Sequence, residues 1–164
     1  MRLLVLVVAS FVILACGESR APLAHSVESP EALARAVLKA IEQRDSDALH
    51  ALAINRQEFA EHVWQELPAA RPERNLSVSY VWGDLNQKSN IMLRETLAAH
   101  GGKKYDLVSV RFLGETTRYP SYLVHRESEL TVGDTSGHEQ NIRLFGSVIE
   151  KNKRFKVFSY VVED

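Results

Sequence analysis

Cysteine is almost absent from this chain. Cys16 is the only one in 164 residues, so no internal disulfide can form and the core must hold itself together. Charge of one sign is also missing. A formal net charge of -1 gives no electrostatic basis for binding nucleic acid or an acidic surface. There is no internal repeat and no low-complexity segment. With 45% hydrophobic and 25% charged residues, the composition is that of a folded protein with room for one domain. Metal and nucleophile signatures are lacking too. His50, His62, His100, His125 and His138 show neither His-x-x-x-His spacing nor a CxxC partner, and Ser/His/Asp and glycine-rich phosphate motifs do not occur. No metal or cofactor is therefore expected.

The N-terminus is the most informative segment. Met1 and Arg2 provide a positive start, and residues 3–15 (LLVLVVASFVILA) form a nearly unbroken apolar run. Such a run suits the core of a secretory signal and falls short of the roughly 20 residues of an ordinary spanning helix. It ends at Ile13-Leu14-Ala15-Cys16-Gly17. This resembles the lipobox of bacterial lipoproteins, with Leu14 bulkier than the residue usual at its place. The resemblance implies cleavage after Ala15, lipid on Cys16 and a membrane as partner. Gly17 in place of Asp leans, within that family, toward the periplasmic face of the outer membrane in a Gram-negative source. Residues 1–15 are then a signal peptide, 16–29 the lipidated cysteine with a flexible tether of very roughly 20 Å reach, and 30–164 a single domain.

Within that domain, Ser29-Pro30-Glu31 is a helix start. Leu33, Ala34, Val37, Leu38 and Ile41 then recur on one helical face. Arg44-Asp45-Ser46-Asp47 interrupts and recaps into a short second helix, and Asn55 can cap a third, with Phe59, Val63 and Leu67 inward and ending at Pro68. Leu76, Val78, Tyr80 and Trp82 alternate as in a short strand, residues 84–100 read as a helix, and Gly101-Gly102 stops it. Residues 105–113, 122–132, 140–150 and 154–162 read as strands, the last three joined by tight polar turns into an antiparallel meander. Gly146-Ser147 marks a bend. The expected class is α+β, with N-terminal helices packed on a curved, mainly antiparallel sheet of about four strands. Residues 36–49 (AVLKAIEQRDSDAL), a helix, a short acidic turn and a Leu-containing second helix, resemble the nuclear transport factor 2-like family, also called SnoaL-like or cystatin-like. That resemblance implies a conical pocket between sheet and helices.

Few residues offer chemistry for such a pocket. No strand carboxylate among Asp106, Glu127, Glu129 and Glu150 stands alone in apolar surroundings, which weighs against proton abstraction. Arg126 and Ser128 share a strand face with Tyr122, Val124, Leu130 and Val132; Arg126 there either enters a pocket for an anionic ligand, turns outward at a bulge or forms an ion pair at the sheet edge. Trp64, Tyr80 and Trp82 are aromatics that could line a cleft, and His125 completes the candidate set. Glu58, His62 and Glu66 share a helix face that reads as solvated. Lys151, Lys153, Arg154 and Lys156 read as a basic hairpin tip. The leading expectation is a lipid-anchored cell-envelope protein with a non-enzymatic domain that binds an envelope protein or a small anionic ligand. The alternative is an isomerase- or dehydratase-like envelope enzyme with a conical pocket.

Overall fold

The structure is a computed structural model that describes residues 22–162. The signal segment and Cys16 lie outside these residues. The first helix, α1 (Pro30–Gln43), starts where Ser29 Oγ accepts the Ala32 N–H and Pro30 occupies the first turn. It buries Leu33, Ala34, Val37, Leu38, Ala40 and Ile41, and its stability comes from that face, because burying one Leu, Ile or Val side chain contributes about 1.5–3 kcal/mol. Asp45 caps α2 (Ser46–Leu52), and Asn55 caps α3 (Arg56–Glu58) in a reciprocal box with Glu58. The chain then widens into a π-helical turn over Phe59–Val63 and tightens into 3-10 turns.

The expected strand at residues 76–82 is instead the start of α4 (Val78–His100), with Ser77 as its N-cap. The physical reason is a competition between two periods. Val78, Tyr80 and Trp82 fit a two-residue alternation, but Val78, Val81, Trp82 and Leu85 fit a helical stripe, and that stripe packs against a core cluster. Farther along, Leu93 and Thr96 turn into a second cluster centred on α1.

All strand pairs are antiparallel. One sheet holds β1 (Asp106–Phe112), β4 (Ser128–Gly133) and β5 (Glu139–Ile142) in the order β1-β4-β5. The other holds β2 (Thr117–Arg118), β3 (Leu123–Arg126), β6 (Ser147–Lys151) and β7 (Arg154–Ser159) in the order β2-β3-β6-β7. The fold is α+β with helices packed on a sheet, as expected. Two expected long strands are each divided, however. Between β3 and β4, Glu127 sits at φ 54°; between β5 and β6, residues 143–146 leave one sheet for the other. The two breaks meet, since Ser128 N donates to Gly146 O. A Cβ on Gly146 would lie 1.5 Å from Val161 O, so the segment after β7 crosses the bend in contact with bare backbone.

Residues 22–29 carry structure of their own. Val27 exchanges two backbone hydrogen bonds with Phe155 on the edge of β7, and Leu23 and Ser26 are buried. The expected tether is therefore shortened at its C-terminal end, which belongs to the domain.

Three expectations about exposed charge are overturned together. Glu58 and His62 are buried, not solvated, and Lys156 is 1% exposed rather than at a hairpin tip. Lys156 Nζ lies 2.9 and 2.8 Å from the two carboxylate oxygens of Glu58. Those oxygens also accept the Ala24 and Asn55 backbone N–H groups. Lys156 shares the sheet face of Ile149 and Phe158 and so points into the interior, while capping by Glu58 turns the start of α3 inward.

Two stability tests follow from this packing. Lys156→Met should lower unfolding free energy by about 3–5 kcal/mol in urea titrations, since it strands a buried carboxylate. The double variant Glu58→Gln/Lys156→Met should recover part of that loss, because no buried charge then remains. Gly146→Ala should cost about 1–3 kcal/mol by forcing the chain off the bend. By contrast Gly83→Ala, on the exposed side of α4 with open space around it, should stabilise by about 0.5–1 kcal/mol.

Candidate functional site

The bend in the sheets opens a cavity of about 370 Å³ between the sheet containing β3, β6 and β7 and the first half of α4. Its size lies near the lower end of small-molecule pockets, which run from about 300 to 1,000 Å³. Phe59, Leu85, Val124 and Phe158 form apolar walls, and Val161 and Val162 border it from the C-terminal segment. The structural cause is the divided hairpin. The breaks at residue 127 and at residues 143–146 splay the sheet, which leaves the space α4 covers.

Charged groups line the cavity in an ordered way. Lys88 and Asp84, one turn apart on α4, pair at 2.8 Å, and the aspartate hydrogen bond raises the lysine pKa. Arg143 lies 3.8 Å from Glu127. Arg126 is exposed; its Nε donates to Thr117 Oγ1 at 3.4 Å, and among the described residues it makes no ion pair. The break at Glu127 leaves Arg126 at the surface, where it borders the cavity, and the ion pair expected as one alternative does not form among the described residues. Ser128 is buried and donates to Gly146 O at 3.3 Å, and Ser159 Oγ accepts from Val161 N.

The remaining candidates do not join this cavity. Trp82 borders a neighbouring hollow of about 160 Å³ with His50, Asn86 and Tyr160, and its ring packs 5.3 Å from Phe59. Trp64 packs on the same Phe59 at 6.4 Å. Tyr80 projects from the first turn of α4 and is 68% exposed. His125 lies on the opposite side of β3 from Val124 and Arg126. There it stacks on Phe112 at 4.6 Å, with Nδ1 3.0 Å from Thr116 Oγ1 and Nε2 2.9 Å from Glu150 Oε2. That order of hydroxyl, imidazole and carboxylate is one nucleophilic catalysis uses. None of the three residues borders either cavity, and their contacts tie the β1–β2 loop to β3 and β6.

Among the described residues no group of three or more His, Cys, Asp or Glu side chains is arranged to hold a metal ion, and no helix is long and apolar enough to cross a membrane. No family model, no curated protein and no solved structure matches this chain.

Arg126, Ser128 and the bend at Gly146 were legible in the sequence, Leu85 only as an inward helix position, and Phe158 and Arg143 not at all as lining residues. Leu85, Phe158 and Arg143 come together because the sheet divides beneath α4.

One titrating group has a predictable effect on stability. Burial, with a smaller contribution from the Lys103 charge, lowers the His100 pKa below its ordinary 6.5, while Nδ1 sits 3.0 Å from the Tyr105 hydroxyl. The unfolded chain then binds this proton more tightly than the folded one. The His100 contribution is complete above pH 6.5 and is lost as pH falls through the lowered folded value. Urea midpoints measured between pH 7.5 and 5 should fall, and His100→Gln should flatten that slope.

Proposed function

We propose that this chain is a lipid-anchored cell-envelope protein whose folded domain binds a small ligand in the cavity at the sheet bend. The address rests on the apolar run and on the lipobox-like Ile13-Leu14-Ala15-Cys16-Gly17. The binding role rests on one observation: an apolar cavity of about 370 Å³ opens beside an arginine that has no ion-pair partner among the described residues. A binding domain suits this site better than an enzyme. Its carboxylates, Asp84 and Glu127, are already engaged with Lys88 and Arg143, and its described lining holds no imidazole that could move a proton. A nuclear transport factor 2-like domain remains part of this proposal, supported by the helical start and the bent antiparallel hairpins.

Six residues separate Cys16 from Leu23, the first buried position of the domain. With lipid on Cys16, the domain would be held within about 25 Å of the bilayer surface, close enough to meet ligands that partition into or leave a membrane.

The two halves of the proposal are tested separately. Cells fed a clickable palmitate should label the wild type and leave Cys16→Ser unlabelled; equal labelling would remove the anchor. For binding, naphthalene-2-carboxamide should be retained by the full chain in nanodiscs above the level of empty discs in equilibrium dialysis. Leu85→Trp, which fills the cavity, should abolish the excess. Equal retention by Leu85→Trp would place the binding elsewhere.

A further inference from the structure

We infer that the cavity selects a ligand with one negative charge and an apolar body of about a dozen non-hydrogen atoms, seated with its anionic group at Arg126. This inference rests on the binding role proposed above and adds the class of ligand.

Charge pairing at the cavity is the first support. Five described charged residues line it, and four of them form two pairs: Asp84 with Lys88 at 2.8 Å, and Glu127 with Arg143 at 3.8 Å. Arg126 alone has no opposite charge among the described residues, so the lining carries one surplus positive charge. A cationic ligand would face that charge uncompensated, and a dianion would bring one charge too many. A guanidinium held at one edge by Thr117 keeps its outer N–H groups available for a carboxylate, sulfonate or phosphate diester oxygen.

Polar satisfaction inside the cavity sets the ligand's direction. The buried serines of the lining, Ser128 and Ser159, already bond to backbone groups, at Gly146 O and Val161 N. A polar group carried inward would lose water among mostly apolar walls, where each of these hydroxyls already spends one hydrogen bond on the backbone, which is costly. The walls there are Phe59, Leu85, Val124 and Phe158. The apolar end therefore goes in and the anion stays at the exposed mouth.

Volume sets the size. A space of 370 Å³, at roughly 30 Å³ for each water-sized group, holds about a dozen such groups. Flat aromatic acids and medium-chain acids fall in this range, whereas long-chain lipids with two acyl tails do not.

The test uses naphthalene-2-carboxylate and its neutral isostere naphthalene-2-carboxamide, with the full chain in nanodiscs at pH 8. Equilibrium dialysis against empty discs should show the carboxylate bound about tenfold more tightly than the amide, a modest factor because Arg126 is exposed. Arg126→Gln should erase that preference by weakening carboxylate binding to the level of the amide, while Arg126→Lys should keep part of it. Equal affinity for the two ligands in the wild type, or a parallel loss of both in Arg126→Gln, would overturn the inference and leave the binding role standing. Retention of neither ligand by the wild type would overturn both.

Discussion

A lysine and a glutamate that meet at 2.8 Å in the interior decide where three distant parts of the chain come together. Glu58 caps the start of α3, Lys156 comes from the middle of β7, and the same carboxylate takes the N–H of Ala24 from the segment before α1. Removing two charges from water costs several kcal/mol each, and full hydrogen bonding is what offsets it. Both carboxylate oxygens have two donors, so this pair is satisfied rather than merely adjacent. It therefore restrains position: α3 cannot slide along β7 without leaving a buried charge unpaired.

The cavity depends on that restraint. Phe59 follows Glu58 directly, and its ring forms part of the cavity wall and the surface on which Trp64 and Trp82 pack. On the other side, Phe158 lies two residues beyond Lys156 on the same face of β7. The buried pair thus ties together the two segments that carry these aromatic walls, and Gly146 at the bend also lines the cavity. An open apolar space beside a well-packed core is stable only when such rigid neighbours keep it from collapsing.

Much of the element order was legible in the chain. The cap at Ser29 and the stripe from Leu33 to Ile41 identify α1, and the recapping segment at residues 44–47, the cap at Asn55 and the stop at Gly101 mark real boundaries. Legibility failed where two periods overlapped, at residues 76–82, and where a local rule met a distant partner. Glu58 and His62 sit at the spacing of an outer helix face, but a capping box and a π-helical turn rotate them inward. Lys156 alternates correctly for the inner side of β7 and still reads as solvated, because its partner lies 98 positions away. Arg126 was visible as an odd residue on an apolar face, while the residues opposite it, on α4 and β7, were not.

By itself the chain determined its local punctuation: where helices begin, where hairpins turn, where glycine permits a bend, and that no disulfide supports the fold. These follow from backbone preferences and short-range hydrogen bonds, which act within a few residues. It also contains, at Cys16 and the apolar run before it, every residue on which the proposed membrane address rests. Only the tertiary structure decided that two long strands divide into two sheets, that a lysine pairs inside the core, and that Arg126 borders a cavity. Those outcomes depend on which distant surfaces meet, and burial energy is a property of the assembled contact, not of either segment alone.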